Sequence, residues 1–392
     1  MLSVSAAVFW CASLLVVYPY VAYPLAIYAL AMCRPRPKAR DDEGEYLPTV
    51  SLLISAYNEQ AVIRAKLDNA LAIDYPADKL EILVVSDASS DGTDETVAEL
   101  AGRYPRIRLV RQNERRGKSA GINHGVAAAT GDIIVFSDAN AMYDADAVRH
   151  LVRPMSDRRV GYVVGAALYR DADGSQAAES EGLYWQLELF LKKMESRFHS
   201  VVGGDGAIYA SRRELLEPLQ SDDISDFVTP LQIVGRGYVG LFVGEARCYE
   251  RAGESFAKEF ARKRRIVNRS WRAVRRYGKL ISPLRQPGFF FMLASHKVIR
   301  WFSLPLAAIA WLANTLLLTS GPLYVATWIG ITASAVLAVY GSLLDRRGQP
   351  LPRLVALLYY FYAVSLAGAL GVWDEWRGVH HVVWNHIRNP NS

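Results

Sequence analysis

The sequence predicts an α/β domain with a doubly wound, mostly parallel sheet, joined to an α-helical transmembrane region. Three features predict it. Two long stretches, Met1 to Cys33 and Phe302 to Leu344, carry no charged side chain, although 21% of the 392 residues are charged. Between them, short β-rich runs alternate with helical ones, the pattern of parallel βαβ units. Small polar and acidic residues follow three of those runs, at the strand ends where open α/β sheets take their ligands.

The membrane elements come first. About 20 apolar residues cross a hydrocarbon core, so residues 1–33 hold one span, 302–320 and 322–344 two more, hinged at Ser320-Gly321-Pro322, and 354–373 a fourth. The first run is longer than the apolar part of a signal peptide and has no basic lead, so it reads as a retained anchor. Residues 34–47 form a basic linker, 48–285 a cytosolic domain and 374–392 a tail. Lys and Arg gather beside the spans, at Arg34, Arg36, Lys38 and Arg40, from Arg262 to Arg276, and at Arg346 and Arg347. Basic residues favour the cytoplasmic side. That puts the N-terminus, Ser320-Gly321-Pro322 and the tail outside, in an integral protein of a bacterial-type inner or plasma membrane. The net charge of +6 is thereby assigned to membrane lipids as partners, with no nucleic acid. Cys11, Cys33 and Cys248 lie too far apart for a disulfide framework or a zinc site.

Segment 286–301 runs from Phe289-Phe290-Phe291 to His296-Lys297 and Arg300-Trp301. It suits a helix lying in the interface, or the start of the next span. Gln176 to His199 reads as a helix in which Trp185, Glu188 and Phe190 are packing.

In the middle, Thr49–Ala56, Leu80–Ser86, Ile107–Val110 and Ile133–Ser137 read as strands. Tyr57-Asn58-Glu59 follows the first, Asp87 to Thr93 the second, and Asp138-Ala139-Asn140 the fourth. Any one of these groups could simply cap a helix. Together on one rim their charges repel unless a cation or ligand donors compensate them. No Walker A loop or G-x-G-x-x-G follows the first strand, which disfavours dinucleotide and hydride chemistry. Asp138 and Asn140 offer oxygen ligands of the kind Mg²⁺ or Mn²⁺ accepts. Lys118 adds a positive charge there, or is an exposed lysine at a helix start.

Ser55-Ala56-Tyr57-Asn58-Glu59, Val85 to Thr93, Gly117 to Asn123 and Ser137-Asp138-Ala139-Asn140 together resemble family 2 glycosyltransferases of the GT-A fold. Membrane-integrated cellulose, hyaluronan and poly-N-acetylglucosamine synthases are the members the chain is most similar to. The resemblance implies a nucleoside diphosphate sugar donor, of the UDP-sugar kind, with Tyr57, Glu59 and Asp87 near the nucleoside. Lys118, Asp138, Arg262 and Arg265 would also bind the donor, and Asp138 and Asn140 the metal. Gly203 to Tyr209 resembles the acceptor segment, with Gly204 and Asp205 at the acceptor. Asp226 matches the family's catalytic base, with Asp222 and Asp223 as fallbacks. The chain departs from the pattern in three places. The usual Thr-Glu-Asp reads Ile224-Ser225-Asp226, the usual Gln-x-x-Arg-Trp reads Arg262 to Ile266 with only Arg265 kept, and Asn140 stands where an Asp is usual.

The implied activity is inverting, metal-dependent transfer of a sugar to a growing polysaccharide at the membrane, with or without translocation. An alternative is a non-processive enzyme adding one sugar to a polyprenyl phosphate or glycolipid, which the lost Gln and Trp favour. A membrane transporter or receptor with a nucleotide-binding domain is the alternative of another class. The charge-free spans argue against it.

Overall fold

A computed structural model describes residues 4–34, 46–170, 176–251 and 255–379. The linker residues 35–45, with Arg36, Lys38 and Arg40, and the tail from residue 380 lie outside the described residues.

The expected N-terminal span consists of two helices, α1 (Val4–Val17) and α2 (Ala22–Met32), bent by 57°. Pro19, in the break, and Pro24 lack the N–H that a continuous helix needs. The α/β half then begins with β1 (Val50–Ala56), α3 (Gln60–Leu71), β2 (Leu80–Ser86), α4 (Thr93–Arg103), β3 (Ile107–Arg111), α5 (Lys118–Ala128) and β4 (Ile133–Asp138). These four strands are parallel, in the order β3-β2-β1-β4. All seven residues of β1 are buried. Leu53 joins Leu83, Val85 and Phe136 on one face, while Leu52 and Ile54 join Ile82, Val84 and Val135 on the other. Burial on both faces explains why these strands read as unbroken apolar runs.

Beyond β4 the sheet becomes mixed. Next along the chain are β5 (Met142–Tyr143), α6 (Ala147–Val152), β6 (Val160–Arg170), α7 (Gln176–Phe198), β7 (Tyr209–Arg212), α8 (Ser225–Gly235) and β8 (Val239–Arg251). The sheet continues β4-β7-β6-β8-β5, with β7 antiparallel to β4 and β6, and β5 antiparallel to β8. β6 and β8 pair in parallel, so four of the seven strand pairings are parallel and the sheet is mostly parallel, with its antiparallel pairings confined to the second half. β7 returns the chain to the sheet beside β4, so that the segment before it and the helix after it meet over the β4 end.

The amphipathic α9 (Phe256–Tyr277) leads to a helical run from Pro287 to Trp301, made of α10 (Pro287–Leu293), a π turn at Ala294–Val298, and α11 (Ile299–Trp301). A 65° bend at Phe302 starts α12 (Ser303–Thr315), followed by α13 (Pro322–Arg346) and α14 (Arg353–Trp376). Two helices, α13 and α14, are long and apolar enough to cross a membrane, and the two bent pairs pass the same test when each pair is joined.

The sequence pattern carries residues 354–373 outward and away from the α/β domain. In the structure α14 instead lies along α9. Near its start Tyr359 and Tyr360 meet Phe256, with ring centroids 4.7 and 6.4 Å apart. Near its end Asp374 takes both prongs of Arg264, at 2.6 and 2.8 Å, and Glu375 takes Arg272. Gly371 makes the close approach possible, since a Cβ there would fall 2.6 Å from the Arg264 carbonyl. Its length and apolar character still suit a span, one whose flank is paired to α9.

Candidate active site

Three strand ends form one rim because their registers are level: Ser55 of β1 stands beside Val85 of β2 and Asp138 of β4. The loops after β1 and β2 then tie to each other. The Asn58 N–H donates to Ser89 Oγ at 3.1 Å, the Glu59 N–H to Thr93 Oγ1 at 2.8 Å, and the Ser90 N–H to Asn58 Oδ1 at 2.9 Å. Asp91 is a cap, accepting from the N–H groups of Thr93 and Gln60. Asn58 and Ala88, with φ of 52° and 57°, hold left-handed conformations that non-glycine residues rarely adopt. Such backbone persists where surrounding bonds enforce it, typically at functional sites.

A single cavity of about 1290 Å³ opens over this rim. It brings together Tyr57, Glu59, Lys118, Asp138 and Asn140 from the strand ends and α5 with Gly204, Asp205 and Asp226 from the β7–α8 side. Arg262 and Arg265 join from α9. Asp87 is the expected site residue that does not line it. Its carboxylate accepts from Gln112 Nε2 at 2.7 Å and from the N–H groups of Arg116 and Gly117 at 2.8 and 2.9 Å. Asp87 thus holds the turn that launches α5, a turn that needs Gly117 at φ 87°, and so aims Lys118 into the cavity.

Lys118 pairs with Asp138. Burial alone would lower the lysine, but the Asp138 carboxylate keeps it above its ordinary value. Gly206 shows how tightly the charged groups converge. A Cβ on it would sit 3.3 Å from Lys118 Nζ, 3.6 Å from Asp226 Oδ2 and 3.8 Å from Asp138 Oδ2. Asp226, in the first turn of α8, accepts the Gly206 N–H at 3.1 Å, and its carbonyl accepts the Gly204 N–H. Burial pushes the Asp226 carboxyl up; Lys118 pulls it down, while Asp205 and Asp138 push it further up. A carboxylate raised in this way is suited to accept a proton. Asp205 is held by Lys192 at 3.2 Å.

The fallback bases are tied to α9, although Asp223 also lines the cavity. Asp222 pairs with Arg272 at 2.9 Å and Arg276 at 3.1 Å, and Asp223 with Arg276 at 2.7 Å and the Tyr277 hydroxyl at 3.1 Å. They fasten α8 to α9. On α9, Arg262 pairs with Glu259 at 2.7 Å. Arg265 is pushed down to about 10 by burial and by the neighbouring Arg269 and Arg262. Such a destabilised cation strongly favours an incoming anion. Arg269, which the motif comparison passes over, bonds to the Asp222 and Asp223 carbonyls and to Ser119. Its spacing from Arg262 and Arg265 put it on their helix face.

Among the described residues no group of three or more His, Cys, Asp or Glu side chains forms a closed metal cage. Asp138 and Asn140 still suit a divalent ion of the Mg²⁺ or Mn²⁺ kind, which is bound by one or two protein oxygens with substrate phosphates completing the shell. The Lys118 ammonium already seated on Asp138 marks the position as one that holds positive charge.

The cavity also runs past this centre to the membrane helices, where Tyr20, Tyr184, Glu188, His296, Lys297 and Arg300 line it. Glu188, expected as packing, is a buried carboxylate facing three basic residues. Ile266, where the aromatic is usual, is also in the lining.

Residues 51–219 match the Glycosyl transferase family 2 domain. Over 94% of its length the chain is similar to the mannosyltransferase PcManGT from Pyrobaculum calidifontis, solved in complex with GDP-Man and Mn²⁺. The TM-score is 0.68 at 26% identity, and the match covers 99% of that chain. The probable glycosyltransferase YdaM of Bacillus subtilis is 32% identical over 231 residues, 56% of this chain and 54% of that one. Beta-monoglucosyldiacylglycerol synthase of Trichormus variabilis is 35% identical over 143 residues, 36% of this chain and 30% of that one. The chain therefore spans about half, or less, of the length of these two relatives.

Proposed function

We propose that this protein is a family 2 glycosyltransferase of GT-A fold using a nucleotide sugar, and that it moves one sugar, with inversion, onto a lipid-held acceptor at the membrane. The observation that carries this reading is the continuity of the cavity from Asp138 and Asp226 to Tyr20 of the α1–α2 break and to Val364, Ser365 and Gly368 of α14. An acceptor held between apolar helices reaches the rim without leaving the bilayer surface. The lipid named in the Trichormus relative supports the same class. The polysaccharide reading is the weaker one here, because Ile266 offers no aromatic face on which a growing chain could stack.

The donor's nucleoside lies at Tyr57 and Glu59, with Arg115 stacked 4.0 Å over the Tyr57 ring on its outer side. Asp138 and Asn140 would hold Mg²⁺ or Mn²⁺, which supplies charge compensation for the diphosphate. Lys118, Arg262, Arg265 and Arg269 meet the remaining negative charge as the diphosphate departs. Asp226 takes the proton of the acceptor hydroxyl as its oxygen attacks the anomeric carbon. Gly204 and Gly206 leave room beside the carboxylate: a Cβ on Gly204 would fall 2.9 Å from the Asp226 carbonyl. The catalytic domain faces the cytosol, and the α9 contacts keep the far end of α14 on that same side.

A donor screen tests the reading. Purified protein in lipid receives UDP-glucose, UDP-N-acetylglucosamine, UDP-glucuronate or GDP-mannose with Mn²⁺ or Mg²⁺, and released nucleotide and labelled lipid are both measured. One donor should give both, and chelation or Asp138→Ala should abolish both. Long polymer from native protein would overturn the single-sugar reading, and full turnover in excess chelator would overturn the metal.

A further inference from the structure

We propose that the membrane end of the cavity is a seat for the phosphate of a lipid-linked acceptor, and that a hydroxyl beyond that phosphate, rather than the phosphate itself, receives the sugar. The proposal rests on the glycosyltransferase reading and names the acceptor class.

Arg300 carries the argument. It is 7% exposed, lines the cavity, and spends Nη1 on the Glu188 carboxylate and the Tyr184 hydroxyl. Its Nε and Nη2 have no hydrogen-bond partner among the described residues. Leaving buried charged donors unmade is costly. Both donors are closed to solvent, and a phosphate seated against this guanidinium fork would accept both at once. The rings of Tyr20 and Tyr184 flank it, with centroids 5.3 and 5.6 Å from Cζ.

The charge balance points the same way. The one Glu188 carboxylate faces Lys297 at 2.7 Å, His296 at 3.1 Å, and Arg300. Glu195 is occupied from behind, by the Tyr23 hydroxyl at 2.6 Å, the Val202 N–H at 3.1 Å and His296 Nδ1 at 2.6 Å. Lys263, 4.8 Å from the Tyr184 ring, is paired with Glu259 at 3.4 Å. Lys297, His296 and Arg300 thus converge on a pocket where Glu188 is their shared carboxylate. The π turn at Ala294–Val298 shifts the register of the helix that carries His296, Lys297 and Arg300, and π turns recur at functional sites. A neutral glycolipid headgroup would leave the two Arg300 donors unanswered.

The seat adjoins the base, because Trp301, next to Arg300, and Phe227, next to Asp226, have ring centroids 6.4 Å apart. A phosphate oxygen is already ionised at neutral pH and has no proton to give, so a phosphate nucleophile would leave Asp226 idle. A sugar or polyol hydroxyl attached beyond the phosphate uses both sites. Its oxygen bonds to the anomeric carbon, the bond from that carbon to the diphosphate breaks with its electron pair leaving on the nucleoside diphosphate, and the hydroxyl proton passes to Asp226.

Farnesyl phosphate and farnesol, which share a chain and differ in the phosphate, test the seat on the full-length protein in detergent with saturating GDP or UDP and Mn²⁺. Farnesyl phosphate should bind about tenfold or more tightly than farnesol, the loss expected for charge-assisted hydrogen bonds. The difference should vanish in Arg300→Gln and shrink in Lys297→Gln, while nucleotide binding, measured in parallel, shows that both variants are folded. It should persist in Arg285→Gln, a change at an exposed turn position. Equal binding of the two lipids, displacement of farnesyl phosphate by the nucleotide, equally tight binding of inorganic phosphate, or an unchanged preference in Arg300→Gln would each overturn the seat. Full transfer by Asp226→Asn would overturn the hydroxyl assignment. Failure of nucleotide binding or release would instead strike the glycosyltransferase reading itself.

Discussion

The two ends of the cavity are built in different ways. The donor end is assembled by the register of adjacent parallel strands, so Tyr57, Glu59, Asp138 and Asn140 come together because each ends or follows a strand. The membrane end is assembled across the fold, with Tyr20 before α2, Tyr184 and Glu188 on α7, and His296, Lys297 and Arg300 around the π turn. Strand register repeats the same local rule at every crossover, whereas the second arrangement depends on how helices far apart in the chain pack. The donor end therefore belongs to the GT-A domain, and the membrane end to the way this chain joins that domain to its helices.

The comparison is broken most sharply at Asp226, where the two ends meet. Asp226→Asn keeps the shape but cannot accept the proton, so transfer should fall by about 10² to 10⁴ while donor affinity is retained. Single-turnover rates with labelled donor measure the first, and equilibrium nucleotide binding the second. Retained turnover would overturn Asp226 as the base and, with it, the hydroxyl nucleophile, since Asp222 and Asp223 are paired with Arg272 and Arg276.

This contrast also explains what could be read from the sequence. The α/β alternation and the rim residues were legible because apolar runs and the polar residues after them lie side by side in the chain. The mixed half of the sheet was not, since β5 has only two residues and β7 four, too short for a periodicity. Asp87 was legible as a rim residue, but its task was not: pattern does not reveal that its carboxylate turns back to Arg116 and Gly117. Glu188 looked like packing because its partners Lys297 and Arg300 are more than a hundred residues away, and a π turn shifts their helical face. The course of α14 along α9 sets Arg264 against Asp374, and hydropathy carries no trace of that pair.

A large stability effect should come from the membrane end. Burial alone would raise Glu188, but Lys297, His296 and Arg300 hold it well below the usual carboxylate range. Glu188→Ala strips three basic groups of their shared partner and should cost about 3 to 5 kcal/mol, as removing one member of a buried pair does. Thermal unfolding in detergent with and without nucleotide measures it. The pH sign follows from the depressed value. The Glu188 contribution is complete above its unfolded value and is lost as pH falls through the lower folded one, so native stability should drop only in strongly acid solution, and Glu188→Gln should lack that drop.

At the donor end the corresponding test is a shift in pH profile. Asp226 acts when ionised, and since burial raises its value, the acid limb of kcat/KM should lie above the ordinary aspartate range. Lys118 pulls the value down, so Lys118→Met should move that limb to higher pH and weaken donor binding. An acid limb that stays in place would mean that the limb reports another group.

The smallest effect concerns the joint between the two regions. Arg264 meets Asp374 in a two-pronged pair, but the arginine is 36% exposed along its side chain, and solvent screens such a pair. Arg264→Gln should therefore cost only about 0.2 to 1 kcal/mol, less at high salt, with catalysis unchanged. A double-mutant cycle with Asp374→Asn separates the pair from the packing around it. The pair matters for direction more than for strength, because it keeps the end of α14 beside α9. Cysteines placed at Gly378 and at Gly321 should accordingly be labelled from opposite faces of the membrane, with Gly321→Cys reached from outside intact cells and Gly378→Cys only after permeabilisation. If Gly378→Cys were labelled from outside, α14 would cross the bilayer after all. The close approach of Gly371 to the Arg264 carbonyl would then have to be made by a catalytic domain tilted into the membrane.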